Sequence, residues 1–264
     1  MDKTRSNEAY WDETTAEYFA ETHISLDDFH FGPLLPGDAT LDLLPKHLDG
    51  ASCLEVAAGA GHNSIILARR GAITTAVDIS TAQISVGEKL AAEAGVSVRF
   101  MQGDMDALPT DLRSFDLIHT NSINFSEDPA ALVSDLAGRL ADNGTLLASA
   151  IHPLFHGEWL EVEEDGFGLF SINYFDPEDD IRTADQSGAE IHSKSYPISD
   201  MFKWLQDAGL EVVDFREPPA APLNATTDSP PENIPYFSNA WSEWHDQLSR
   251  FPVMAIFKAR KRAG

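Results

Sequence analysis

A single cysteine, Cys53, is all the thiol this chain of 264 residues possesses. That excludes an internal disulfide framework, a multi-cysteine zinc site and a three-cysteine iron–sulfur cluster. Cys53 stands beside Leu54 in an apolar run, the usual setting of an inert core thiol. Positive charge is scarce as well, with 18 Lys and Arg against 43 Asp and Glu and a formal net charge of -25. The bases are dispersed rather than clustered, and nucleic acid affinity depends on neutralising phosphates with Lys and Arg. RNA and DNA are therefore excluded as partners. No apolar run approaches a membrane span, and the N-terminal MDKTRSNEAYW has no apolar signal region. The expectation is a cytoplasmic protein with no membrane partner. The acidity itself keeps a chain hydrated, as a salt-rich host would favour, and says little about substrate.

What is present begins with Leu54 to Ser64, reading LEVAAGAGHNS. A short apolar run carries the acid Glu55, crosses a turn of small residues, and opens into a helical pattern. Ala57, Ala58, Gly59, Ala60 and Gly61 let a ligand reach the backbone, because no large side chain intervenes. A second apolar run, Ile73 to Val77, then delivers Asp78 and Ile79. A carboxylate there suits a ribose, since it accepts from two hydroxyls at once. Strand, glycine turn, helix, strand and acid describe a nucleoside-binding half of a doubly wound sheet. The dinucleotide fingerprint GxGxxG would need glycine at position 64, where the chain has Ser64. Glu55 would repel a pyrophosphate and welcome a cation. A nicotinamide oxidoreductase, which would also want a YxxxK pair, is the weaker alternative, as is a tight turn without ligand.

The pattern acid-x-(G/A)-x-G-x-G over Glu55 to Gly61 resembles motif I of the class I S-adenosylmethionine-dependent methyltransferases. Ala57 replaces the first consensus glycine, as in many ubiquinone/menaquinone-biosynthesis methyltransferases and their relatives. The resemblance continues in Gly103-Asp104-Met105 to Pro109, where the family's acid accepts from the adenine amino group and the next backbone N–H meets the ring. The plainer reading of Asp104 is a turn or helix cap. Phe115 to Ile118 resembles the fourth strand, leading to His119, Thr120, Asn121 and Ser122 where the donor methyl should lie. Asp128-Pro129 starts a helix with a cap and a first-turn proline. That helix carries Leu132, Leu136 and Leu140, Asn143-Gly144 closes it, and Thr145 to Ile151 is the fifth strand.

The resemblance implies one α/β domain over residues 1–264. Its centre is a doubly wound, seven-stranded Rossmann-like sheet with the last strand, Phe251 to Arg260, antiparallel. Residues 1–50 form an N-terminal helical lid and connecting loop, 51–151 the cofactor-binding half, 152–196 an acceptor-pocket cap after strand five, and 197–264 the C-terminal sheet half. The lid helix, 6–22, carries Tyr10, Trp11, Tyr18 and Phe19; those rings either close the site or simply pack the helix onto the sheet. Residues 27–45, with three prolines and two glycines, should be mostly loop. Pro197 to Asp200 caps a helix ending at Gly209, Glu211 to Glu217 is the sixth strand, and Pro218 to Pro235 is a proline-rich loop.

The implied activity is methyl transfer from S-adenosyl-L-methionine, giving S-adenosyl-L-homocysteine, to a small organic acceptor. Tyr18, Glu55, Ala57, Gly59, Gly61, Asp78, Ile79, Asp104, Met105 and Asn121 are the expected cofactor-binding residues. His152, just past strand five, is the first candidate for a general base, with a plain loop role as its alternative. His119, His156, Tyr174, His192 and Tyr196 stand in reserve. No metal is expected, because surface solvation explains the acidic runs Glu161 to Asp165 and Asp176 to Asp180. A monomer or homodimer is expected. The DPPY-type motif of amino-methylating nucleic acid enzymes is absent, Asn121-Ser122-Ile123-Asn124 standing in its place. The acceptor atom stays open among O, N and C, and so does a protein that binds the donor for regulation without turnover.

Overall fold

A computed structural model describes residues 3–155, 158–161, 167–170, 173–221, 234–238 and 248–262. Helix α1 (Lys3–Glu21) runs into β1 (Thr22–Ile24), and after a long loop comes the single turn α2 (Asp38–Leu41). The nucleoside half follows as β2 (Ser52–Val56), α3 (His62–Arg69), β3 (Ile73–Asp78), α4 (Thr81–Glu93) and β4 (Val98–Gln102). Next come β5 (Phe115–Thr120), α5 (Pro129–Arg139) and β6 (Leu140–Ile151). Beyond β6 lie β7 (Glu158–Glu161), β8 (Phe167–Phe170), β9 (Asp180–Thr183) and β10 (Glu190–Ser193). The remaining elements are α6 (Ile198–Asp207), β11 (Leu210–Arg216), β12 (Tyr236–Ser238) and β13 (Met254–Lys261).

Seven strands form one sheet in the order β11-β13-β6-β5-β2-β3-β4. Pairings from β6 through β4 are parallel, and β13 runs antiparallel to both β6 and β11. Parallel strands covered on both faces carry continuous apolar runs, which is why β2 buries Cys53, Leu54, Glu55 and Val56 in succession. One face packs Leu54, Val56 and Ile118 beneath Leu132 and Leu136 of α5 and Met201 and Leu205 of α6. The other packs Cys53, Leu117 and Leu147 against Ile66 and Leu67 of α3. Burial raises the Cys53 thiol to about 12, so it is inert at neutral pH.

Chain order runs outward from β2 through β3 to β4, then returns to β5 on the other side of β2. That reversal opens a crevice at the carboxyl ends of β2 and β5. The expected seven-stranded architecture with an antiparallel last strand is what the chain forms.

Two local expectations are corrected and one is extended. Helix α5 ends at Arg139, not at Asn143-Gly144. Leu140 pairs with Phe115, while Leu117 pairs with Thr145, so the Asn143-Gly144 turn is a bulge inside β6. The physical reason is Arg139, which donates to the carbonyls of Leu108, Pro109 and Leu112 and ties the helix end to the loop after β4. Second, the segment 27–45 is mostly loop as expected, and it also supplies core: Phe29, Phe31, Leu34 and Leu35 are buried. Asp38 makes this affordable by accepting from the Leu43 and Leu44 amides, both at 2.9 Å. Third, Pro197 is the N-cap of α6 and no side chain caps that helix.

The region after β6 contains two antiparallel hairpins, β7 with β8 and β9 with β10, while β1 pairs with β12. His156, residues 162–165 of the acidic run and 222–233 of the proline-rich loop lie outside the described residues, as do the side chains of Trp159, Phe167 and Phe170. Among the described residues no helix is long and apolar enough to cross a membrane.

Candidate active site

The turn after β2 places Ala57, Gly59 and Gly61 in the left-handed region, with φ of 52°, 56° and 66°. Glycine is required at 61, where a Cβ would stand 2.7 Å from the Phe100 ring. Ala57 adopts this conformation against a steric cost of roughly 1–2 kcal/mol. Glu55 is buried beneath the turn and accepts from both the Ser64 amide (2.9 Å) and the Ser64 hydroxyl (2.7 Å). Ser64, the residue that departs from the dinucleotide fingerprint, thus anchors the acid that a pyrophosphate would not tolerate. Burial, with Asp78 adding to it, raises the Glu55 pKa to about 7.

Asp78 closes β3. Its two oxygens accept from the Gly59 amide (2.6 Å) and the Ser80 amide (2.9 Å), locking the carboxylate to both turns. Burial raises its pKa against these hydrogen bonds. Asp104 accepts from the Asp106 amide at 2.9 Å, capping a single 3₁₀ turn, and from the Thr4 hydroxyl at 2.8 Å. It therefore fills the cap role and faces the lid at once. Asn121, at the end of β5, lies 3.4 Å from the His30 carbonyl, and its side-chain oxygen is buried with no partner among the described residues.

Helix α1 spans the opening. Asp12 accepts from the Ser80 and Thr81 hydroxyls and the Ala82 amide at the start of α4, and Glu8 accepts from Gln102. On the opposite side Glu13 accepts from the Gln186 and Ser187 amides between β9 and β10, and Ser6 from the Glu190 amide. Tyr18 and Tyr236 bond hydroxyl to hydroxyl. One helix thus fastens the nucleoside half to the β9–β10 hairpin.

Beneath it lies a cavity of about 440 Å³, within the range of small-molecule sites. Tyr18, Glu55, Ala57, Gly59, Asp78, Ile79, Asp104, Met105 and Asn121 border it. Gly61 does not; it starts α3 behind the turn. The other end of the cavity is apolar, with Leu34, Ile151, Phe155, Leu248, Val253 and Met254. Trp11 and Phe19 of α1 are on its wall, so these lid aromatics face the cavity. Tyr10 does not.

His152 stands outside this set. It is buried, its Nδ1 accepts from the Leu154 amide (3.1 Å), and its Nε2 lies 2.8 Å from Glu217. An Nδ1 that accepts leaves the proton on Nε2, which donates to Glu217, so no lone pair is free for an acceptor. Burial lowers the pKa of His152, with Glu217 opposing. The reading of His152 as a base is corrected on this geometry to that of a corner pin between β6 and β11. His119 is also committed, donating from Nδ1 to the Leu147 carbonyl and accepting at Nε2 from Asn63. Tyr174, His192 and Tyr196 do not border the cavity either. Residues that sequence reading missed, His30, His62, Gln83, Phe155 and Tyr236, do. His62 adjoined the glycine motif and was there to be noticed; the others carry no local spacing signal.

No group of three or more His, Cys, Asp or Glu able to hold a metal occurs among the described residues. The anchored acids, the open glycine turn and the unpartnered Asn121 oxygen suit a ligand with ribose hydroxyls and positive charge.

Comparison with known proteins points the same way. Residues 53–144 match the family described as methyltransferase domain. The chain is 35% identical over 178 residues to the ubiquinone biosynthesis O-methyltransferase of Xylella fastidiosa (strain 9a5c), covering 66% of this chain and 67% of that protein. It is 28% identical over 188 residues to the uncharacterized methyltransferase YbaJ of Bacillus subtilis (strain 168), covering 68% and 73%. Its fold is similar to the crystal structure of an S-adenosylmethionine-dependent methyltransferase from Mesorhizobium loti, with a TM-score of 0.62, 19% identity, and coverage of 84% and 96%.

Proposed function

This chain belongs to the S-adenosylmethionine-dependent methyltransferases, and we propose that it methylates a small organic molecule held at the apolar end of its cavity. The observation that carries the reading is one cavity with two unlike ends. Acids and bare backbone line one end, hydrocarbon lines the other, and α1 lies across both. The donor supplies a methyl group already activated on a sulfonium. The protein's work is then to orient the reactants and exclude water, and orientation can contribute up to about 7–11 kcal/mol of the barrier.

In this reading Asp78 takes the ribose hydroxyls and Asp104 with the Met105 amide takes the adenine edge. Glu55 and the turn from Ala57 to Gly61 surround the cationic methionine end, and Ile79 packs beside the nucleoside. The Asn121 side-chain oxygen offers the sulfonium side a partial negative charge. Tyr18 and Trp11 cover the site. Charge also supports a small acceptor, because a net -25 repels phosphate backbones. A cytoplasmic monomer or homodimer fits the same reading.

Purified protein incubated with radiolabelled donor and a metabolite extract tests it. A labelled small molecule is the expected product. Label in tRNA or duplex DNA, or no label in any product, would overturn it.

A further inference from the structure

We propose that Asn7 of the lid helix is a specificity residue for the donor, its side-chain oxygen accepting one hydrogen of the adenine amino group while Asp104 takes the other. The proposal rests on the methyltransferase reading and gives the lid a part in choosing the base.

The phase of α1 aims Asn7 inward. Successive residues of a helix point about 100° apart. Ser6 accepts from the Glu190 amide of β10 on one flank, and Glu8 accepts from the Gln102 side chain at the end of β4 on the other. Asn7, between them in sequence, therefore faces the crevice that these two contacts straddle. Thr4, Trp11 and Tyr18 fall within about 60° of the same line along the helix. All four residues border the cavity.

Two contacts fix where along the crevice Asn7 sits. One turn before it the Thr4 hydroxyl donates to Asp104 at 2.8 Å, and one residue after it Glu8 holds Gln102 at 2.8 Å. Gln102 also donates to the Ile79 carbonyl at 3.2 Å. The Asn7 carboxamide is thus bracketed by contacts to the exit of β4, where Asp104 stands. Its Oδ1 is buried with no hydrogen-bond partner among the described residues. A buried amide oxygen without a donor is costly. The acids at this end, Asp104 and Asp106, are acceptors as well and offer it nothing; Asp106 already takes the Ser126 hydroxyl and the Glu127 amide. A ligand N–H is what the oxygen lacks.

An adenine amino group carries two hydrogens, one on each side of its C–N bond. Asp104 spends one lone pair of Oδ1 on the Asp106 amide and one of Oδ2 on the Thr4 hydroxyl. The carboxylate keeps room for a further donor. Asn7 and Asp104 come from different elements, lid and sheet, so each can take one hydrogen. A 6-oxo base would instead turn its own oxygen toward two acceptors. A site built to hydrogen-bond an N–H rejects the analogue that lacks it. Lid closure and recognition of the base are then one event, because Asn7 is aimed at the purine only while Ser6 and Glu8 are fastened.

The test is displacement calorimetry on the full chain with S-adenosyl-L-homocysteine and its 6-oxo analogue, S-inosyl-L-homocysteine. Wild type should favour the adenosyl ligand by at least about 10²-fold. Asn7→Leu keeps the branched shape of the side chain and removes its oxygen. It should weaken the adenosyl ligand by about 3–10-fold and leave the inosyl affinity unchanged or raised. Asn7→Ala should lower the preference in the same sense. A loss shared equally by both ligands would reduce Asn7 to lid packing and overturn the proposal, as would a wild-type preference in both variants. Equal binding of the two ligands by wild type would overturn it too, with donor binding intact. A wild-type chain that binds neither ligand would instead bring down the methyltransferase reading, and the proposal with it.

Discussion

Between Ser52 and Asp106 the polypeptide builds the donor end of the cavity from neighbouring turns, with Glu55 tied to Ser64 and Asp78 tied to Gly59 and Ser80. The acceptor end draws His30, Ile151, Phe155, Tyr236 and Met254 from segments far apart in the chain. The first end depends on strand ends and backbone amides whose geometry is fixed locally. The second exists only once the sheet, the loop before α2 and the β1–β12 pair have come together. Donor binding and acceptor choice should therefore respond to different substitutions.

The largest expected effect is at the donor end. Asp78→Ala should weaken S-adenosylmethionine binding by about 10²–10⁴-fold, since two charge-assisted hydrogen bonds are worth roughly 1.5–3 kcal/mol each. Calorimetry reads it directly, and unchanged affinity would put the ribose elsewhere.

Glu55 sharpens the same end through pH. Its pKa is raised to about 7, so the carboxyl is neutral below that pH and ionised above it. A cationic donor favours the ionised form, so binding should release a proton and tighten by roughly tenfold per unit below pH 7, levelling above it. Glu55→Gln should flatten the profile. A wild-type affinity that does not change between pH 5.5 and 7.5, values chosen about the raised pKa, would separate Glu55 from the cation.

The two ends also differ in how far the sequence discloses them. Strands β2, β3 and β5 were legible because parallel strands buried in the sheet keep mostly apolar runs, and the donor residues were legible because they sit at fixed offsets from those runs. Leu140 misled because its four-residue spacing from Leu136 continues the helical period, although its backbone pairs with Phe115. Phe29, Phe31, Leu34 and Leu35 were hidden as core by the prolines and glycines among them. His152 sits at the carboxyl end of a strand, where a base is plausible on position alone; its partner Glu217 is 65 residues away and no local pattern links them. His30 and Tyr236 carry no spacing at all, since the cavity alone brings them together.

His152→Ala is accordingly expected to touch stability more than chemistry. Losing its bonds to Glu217 and Leu154 should destabilise the fold by about 1–3 kcal/mol in urea unfolding, with turnover within about threefold of wild type. A drop of two orders of magnitude in kcat at unchanged donor affinity would return His152 to the acceptor end. The smallest effect is at Ala57, whose φ of 52° suits glycine. Ala57→Gly should raise stability by about 0.5–1 kcal/mol, the relief of left-handed strain being partly offset by a freer unfolded chain.

The most direct test is a crystal structure of the full chain with S-adenosyl-L-homocysteine. The ribose should lie on the Asp78 carboxylate, the amino acid end beside Glu55 and the glycine turn, and the thioether sulfur should face Asn121 and the apolar end. Ligand bound outside this crevice, or in it with the ribose away from Asp78, would contradict the division of the cavity into a donor end and an acceptor end.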